Sequence, residues 1–147
     1  MGLDMYLYAE RYISAVFNSD TELADRVNDL PVPKHLKGKI RIIKAEAAYW
    51  RKANAIHRWF NEHCGATGDS VVSIEREELR ELIRTCIQVI GSPERAEELL
   101  PVQEGFFFGS QNYDEWYFNQ LHSTVTQLEP LLTDEFKHWD FNYTASW

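Results

Sequence analysis

The sequence lacks the features of a membrane or secreted protein. No apolar run approaches the roughly 18 residues that a membrane-spanning helix needs. The first residues, Met1-Gly2-Leu3-Asp4, contain no basic region followed by an apolar stretch, which a signal peptide would have. Cysteine occurs only at Cys64 and Cys86. Without a secretion signal, we predict that both are reduced thiols in a cytoplasmic protein that enters no membrane.

The sequence also lacks the common catalytic and cofactor-binding signatures. It has no glycine loop for a phosphate and no nucleophile elbow centred on serine. His63 and Cys64 are adjacent, whereas two metal ligands on a helix are spaced at i and i+4. A Cys–His nucleophile rests on composition alone. We therefore predict no catalytic residue, no metal and no cofactor, and we favour a protein that is not an enzyme.

Basic residues are scarce outside one segment. The net charge is −8. Residues 34–58 contain eight basic residues and one acidic residue, whereas residues 59–147 contain five basic and sixteen acidic residues. The acidic bulk argues against general nucleic-acid binding, which depends on neutralising phosphates. The basic segment either compensates the acidic helices across the fold or forms a local anion site, and the sequence leaves both open.

Strand alternation marks both ends of the chain, and helical periodicity dominates the middle. Leu3, Met5 and Leu7 alternate with polar residues, as do Trp139, Phe141 and Tyr143. Further strands are expected at 39–43 and 71–72. Helices are expected at 21–30 with Ser19 or Asp20 as its cap, at 47–64, at 73–90 capped by Ser73, at 92–100 and at 114–131. We predict a single helix-rich α+β domain over residues 1–147, in which the terminal strands form a small antiparallel sheet.

The expected helix at 47–64 carries one candidate site. Arg51, Asn54 and Arg58 stand at i, i+3 and i+7, so their side chains would converge on one anion. His57 lies at the border of that face and would add a proton donor or acceptor near neutral pH. The alternative is a surface helix whose charges pair with neighbouring acids.

The segment 105–117 carries the second candidate site, because six of its thirteen residues are aromatic. In one interpretation its phenylalanines line a pocket, and Gly109 and Ser110 turn the backbone toward a ligand. Tyr113, Asp114 and Trp116 would then supply polar and stacking contacts. In the other interpretation the phenylalanines fill the core, and Asp114 favours the positive end of the following helix.

Several motifs resemble those of a family of small bacteriophage and prophage proteins. They include Tyr-Trp-Arg-Lys-Ala-Asn-Ala-Ile-His at residues 49–57 and Gly-Phe-Phe-Phe-Gly-Ser at 105–110, with further matches at residues 1–7, 99–101, 113–117 and 139–143. The resemblance covers both termini and most of the chain after Glu46. It implies a phage setting and little mechanism, and the recurring polar residues are Arg51, Asn54, His57, Ser110, Tyr113, Asp114 and Tyr117.

The family differs from this chain at one cysteine. The family carries an Asp-Cys pair before the strand that contains Val and Ser, where this chain has Gly68-Asp69-Ser70. This departure weakens a catalytic role for Cys64. The complete set of candidate ligand-binding residues is Arg51, Asn54, His57, Arg58, Ser110, Tyr113, Asp114, Trp116 and Tyr117.

The leading hypothesis is a non-enzymatic phage accessory protein that binds and inhibits a host complex of antiviral defence or regulation. Its acidic surface would compete for a basic, nucleic-acid-facing surface on that partner. The alternative is a small-molecule binder that sequesters a nucleotide signal. Arg51, Asn54 and His57 would face the anion, and Tyr113 or Trp116 would stack on the base. A hydrolase that uses His57 and Asp114 ranks third, because neither residue has an evident partner in the sequence.

Overall fold

A computed structural model describes residues 2–14 and 20–147. In this part of the chain, strands and helices are mixed along the sequence. The strands are β1 (Asp4–Tyr12), β2 (Ile42–Arg51), β3 (Val72–Ile74) and β4 (Asp140–Ser146). The helices are α1 (Thr21–Asn28), α2 (Asn54–Cys64), α3 (Arg76–Gly91), α4 (Ala96–Leu99) and α5 (Glu115–Leu128).

The four strands form one antiparallel sheet in the order β2-β1-β4-β3. The terminal strands pair along their length, from Asp4 opposite Ser146 to Glu10 opposite Asp140. This confirms the predicted α+β fold and the predicted pairing of the two ends of the chain.

One face of the sheet is buried under the helices, because every second residue of each strand points to the same side. The side chains at the centre of this face are fully buried: Met5, Leu7, Trp50, Phe141 and Tyr143. Helix α2 adds Ile56 and Phe60, and the Phe60 ring stacks on Tyr143 with 4.0 Å between centroids. None of the helices in the described residues has the length and hydropathy of a membrane-spanning segment.

The opposite face of the sheet, here called the open face, carries a tyrosine cluster. The Tyr6 and Tyr8 rings lie parallel with centroids 5.8 Å apart, and Tyr49 lies 5.2 Å from Tyr6. The ammonium group of Lys44 sits 4.1 Å above the Tyr8 ring. These side chains are half-buried or exposed, in contrast to the apolar face beneath them.

The predicted helix at 47–64 is wrong in its first turns, because the chain remains a strand to Arg51. Ala48 and Trp50 are buried while Tyr49 and Arg51 are exposed, which is the two-residue alternation of a strand. Pairing with β1 decides the outcome, with Tyr49 opposite Tyr6. Such pairing with a distant segment overrides the local helical preference.

Two helix starts also differ from the prediction. Glu75, not Ser73, caps α3, and it forms a capping box with Glu78. At α1, Ser19 lies outside the described residues, and Asp20 occupies the N-cap position without a side-chain cap. The Asp20 carboxylate instead accepts hydrogen bonds from the Ser14 N–H (2.8 Å) and the Arg11 guanidinium (3.2 Å).

Candidate functional site

The start of β1, the end of β2 and the segment 105–110 meet at one place, and we call that segment the aromatic loop. The Leu3 N–H donates to the Phe107 carbonyl (3.1 Å), and the Lys52 N–H donates to the Leu3 carbonyl (2.7 Å). The aromatic loop therefore continues the hydrogen bonding at the end of the sheet.

Asn54, the first residue of α2, holds this loop in place. Its side-chain amide donates to the carbonyls of Phe108 (3.0 Å) and Ser110 (2.8 Å), and its carbonyl accepts from the Gln103 N–H (3.1 Å). Only 4% of Asn54 is exposed. Because both amide protons are used, the Asn54 side chain has no donor left for a ligand.

Lys52 is a further candidate residue that the sequence pattern did not indicate. Its φ of 55° is in the left-handed region, and no other non-glycine residue of the described chain has a positive φ. The Lys52 side chain passes over Gly2 and Gly109. A Cβ atom at Gly2 would lie 2.9 Å from Lys52 Cε, and one at Gly109 would lie 3.0 Å from Lys52 Cβ. No local pattern in the sequence marks a single left-handed lysine.

A cavity beside Lys52 brings together four of the predicted site residues, namely Asn54, Ser110, Trp116 and Tyr117. Its volume is about 20 Å³. A water molecule needs roughly 10–15 Å³ measured this way, whereas pockets for drug-sized ligands measure roughly 300 Å³ or more. The cavity therefore accommodates a molecule the size of water.

Arg51 and Arg58 do not converge with Asn54, contrary to the predicted i, i+3, i+7 face. Arg51 ends β2 and pairs with Asp4, with 3.1 Å between Nη1 and Oδ1. Arg58 pairs with Glu62 on its own helix and also donates to the Val102 carbonyl (3.0 Å). The strand geometry of residues 42–51 causes this difference, because it removes Arg51 from the helix.

The polar groups that follow the aromatic loop serve the fold. The Tyr113 hydroxyl accepts from the Val102 N–H (3.2 Å), and the Asp114 carboxylate caps α5 by accepting from the Tyr117 N–H (3.1 Å). The Tyr117 hydroxyl donates to the Leu100 carbonyl (2.7 Å), and burial raises the pKa of Tyr117. These contacts agree with the interpretation that Asp114 favours the start of the following helix. The expectation that the phenylalanines fill the core is wrong for Phe106, which is exposed, and right for Phe108, which is buried.

His57 lies in the core rather than at a helix border. Its Nδ1 atom shares a hydrogen bond of 2.7 Å with the Tyr143 hydroxyl, and the rings of Phe108 and Trp147 lie 5.4 and 5.5 Å away. Burial lowers the pKa of His57 to about 4. At neutral pH the imidazole is therefore neutral. Asp114, the other residue of the hydrolase hypothesis, is engaged as the cap of α5.

The buried neutral His57 predicts a loss of stability in mild acid. In the unfolded chain the pKa returns to about 6.5, so the unfolded state binds the proton first as the pH falls. The stability that the neutral His57 contributes to the fold is complete above pH 6.5 and decreases as the pH falls toward the folded pKa of about 4. We expect His57 to account for a loss of about 2.5 kcal/mol between pH 7 and pH 4.5.

The measurement is urea unfolding at both pH values for the wild type and for His57→Gln. The variant should lose less stability between the two pH values, by about the same 2.5 kcal/mol. An equal loss in both proteins would contradict the assignment to His57.

The two cysteines are weak nucleophiles. Burial raises the pKa of Cys86 to about 12, and burial together with the neighbouring Glu78 carboxylate raises that of Cys64 to about 12. Only the thiolate attacks, so these thiols have little reactivity near neutral pH. Across residues 2–14 and 20–147, no three His, Cys, Asp or Glu side chains are grouped so that they could hold a metal ion.

The most unusual surface feature is the exposure of the aromatic residues around this site. Phe106 is 95% exposed, whereas Phe108, two residues later, is 6% exposed. Trp147, whose ring lies 5.4 Å from Phe108, and Trp116 are each about half exposed. We call Phe106, Trp116 and Trp147 the aromatic rim.

The chain matches no protein-family model, no curated protein and no solved structure.

Proposed function

We propose that this protein is a non-enzymatic binding protein that docks on a partner protein through its aromatic rim. The observation that carries the proposal is the 95% exposure of Phe106. A large apolar side chain gains nothing from water, and exposed aromatic side chains are enriched at protein interfaces, where they dominate the binding energy.

The loop holds Phe106 in a defined position. Residues 105–108 form a turn that contains Phe106, in which the Phe108 N–H donates to the Gly105 carbonyl (3.1 Å). The buried Phe108 ring packs on Gly105 so closely that a Cβ atom there would lie 2.7 Å from it. Because Asn54 also holds the loop, binding through Phe106 costs little conformational entropy.

The partner within this proposal is a host complex with a basic surface. The chain has a net charge of −8, which favours a basic surface on this partner. The resemblance to phage proteins supports inhibition of a host defence or regulatory complex as the biological setting. Occupying a basic surface that otherwise binds nucleic acid would be enough for inhibition, without any catalysis.

A small anionic ligand is the second candidate, and one observation favours it. Lys52 lines the cavity together with Ser110, and no ion-pair partner of Lys52 is found within the described chain. The cavity volume of about 20 Å³ ranks this candidate below the first, because a nucleotide does not fit there.

The test compares two aspartate variants in affinity capture from bacterial host lysates. Phe106→Asp places a charge on the rim, and Ile87→Asp places one at an exposed apolar position on α3. The wild type and Ile87→Asp should capture the same stoichiometric partner, whereas Phe106→Asp should capture about tenfold less or none. Both variants should retain the wild-type circular dichroism spectrum. Undiminished capture by Phe106→Asp would refute docking through the rim.

A further inference from the structure

The outer edge of β2 is open along its first half. Strand β2 lies at the end of the sheet, so only one of its edges pairs with β1. Near its second half, the Gln127 side chain of α5 covers the outer edge, accepting from the Tyr49 N–H (2.9 Å) and donating to the Tyr49 carbonyl (3.1 Å). Residues 42–46 have no such cover in the described chain and are exposed apart from the half-buried Ile43.

Two hydrogen bonds establish which backbone groups of β1 face β2. The Ile13 N–H donates to the Arg41 carbonyl, and the Leu3 carbonyl accepts from the Lys52 N–H, each at 2.7 Å. Backbone groups alternate between the two edges of a strand. The odd-numbered residues of β1 therefore face β2 from one end of the strand to the other.

The register then identifies the residues of β2 that face outward. Ala45 lies opposite Ala9, an odd-numbered residue, so the backbone groups of Ala45 face β1. Its neighbours Lys44 and Glu46 consequently direct their N–H and C=O groups to the outer edge. These are the groups that a further strand would bind.

We propose that a second copy of this chain pairs with this edge, antiparallel and with a two-fold axis at Ala45. In this register Lys44 of each copy lies opposite Glu46 of the other, and the two exchange backbone hydrogen bonds. Lys44 and Glu46 lie on the same face of the strand, so opposite charges meet across the interface twice. A two-fold axis at Lys44 would instead place the Lys44 ammonium groups of the two copies opposite each other.

The side chains leave room for this pairing. Edge strands are commonly protected by a lysine that stands over the edge. Here Lys44 leans toward β1, with its ammonium group 3.7 Å from Glu10 and above the Tyr8 ring. Ala45, at the axis, is small enough for the approach of about 4.5 Å between Cα atoms that such a pair requires. The product would be a continuous eight-stranded sheet with an isologous interface.

The first test is a charge swap measured by analytical ultracentrifugation over a concentration series. The wild type should dimerise, while Lys44→Glu and Glu46→Lys should each weaken dimerisation about tenfold, because like charges then face each other. The double variant restores opposite charges and should restore dimerisation. A wild type that stays monomeric, or a double variant no better than the single variants, overturns the proposal.

The second test probes the register with a disulfide. Ala45→Cys should give a covalent dimer on mild oxidation, because Cα atoms about 4.5 Å apart are within the span of a disulfide. Ile43→Cys is the matched control, since Ile43 of one copy would lie opposite Ala47 of the other, and it should remain monomeric. Equal crosslinking of the two variants would refute this register. A dimer insensitive to both tests would place the interface elsewhere.

Discussion

Phe108→Ala should lower the free energy of unfolding by about 4 kcal/mol, which is typical of removing a buried aromatic ring. Phe106→Ala, two residues earlier, should change it by less than about 0.5 kcal/mol. The same chemical substitution in the same loop thus separates the buried ring from the exposed one, at 6% and 95% exposure.

The physical reason is the environment of the Phe108 ring. It contacts His57 and Trp147 edge-on, with centroids 5.4 Å away in each case, and packs on Gly105. Truncation leaves a cavity that these neighbours cannot fill without moving the loop. Urea denaturation of the two variants measures the difference, and similar losses in both would contradict the assignment of a buried anchor and an exposed contact residue.

Asn54→Ala should lower the free energy of unfolding by about 4 kcal/mol, although it removes no large apolar group. The substitution leaves two carbonyls, of Phe108 and Ser110, and the Gln103 N–H without their partner. The bond to the Phe108 carbonyl is buried, and a buried polar group left unsatisfied costs roughly 1–3 kcal/mol, whereas the loss of each of the two part-buried bonds costs about 1 kcal/mol. The loop would also lose its attachment to α2, so hydrogen exchange at the Gln103 amide should accelerate.

Asn61→Ala is the matched control on the same helix. The Asn61 side chain makes one longer hydrogen bond, to Gln103 Oε1 at 3.3 Å, and its buried Oδ1 atom has no partner. Removing a group that is already unsatisfied should cost less than about 1 kcal/mol. If Asn61→Ala destabilised the protein as much as Asn54→Ala, the attachment of the loop by Asn54 would be disproved.

The terminal strands were predictable because one face of each is buried and the other is not. The alternation of Met5 and Leu7 with tyrosines, and of Phe141 and Tyr143 with polar residues, appears directly in the sequence. Residues 47–51 were not predictable in this way, since their pattern fits the start of a helix equally well. Their pairing with β1 depends on a segment some forty residues away, which local periodicity does not record.

The candidate site was likewise predictable from the sequence only in part. The structure brings Asn54, Ser110, Trp116 and Tyr117 to one cavity, because α2 begins at Asn54, later than predicted, and α5 follows Asp114. Arg51 lies elsewhere because it is the last residue of β2, and α2 begins only at Asn54. The sequence did not predict that Asn54 and Tyr117 stabilise the fold, because a residue pattern does not indicate which backbone groups a side chain binds.

The position of β1 at the centre of the sheet has a consequence for biosynthesis. One partner, β2, ends at Arg51, but the other, β4, begins only at Asp140. At roughly 5–20 residues per second, translation needs about 5–20 s to pass from the end of β2 to the end of β4. During that interval the nascent β1 presents an unpaired edge beside Met5 and Leu7, so the growing chain is most prone to aggregation before its last strand is made.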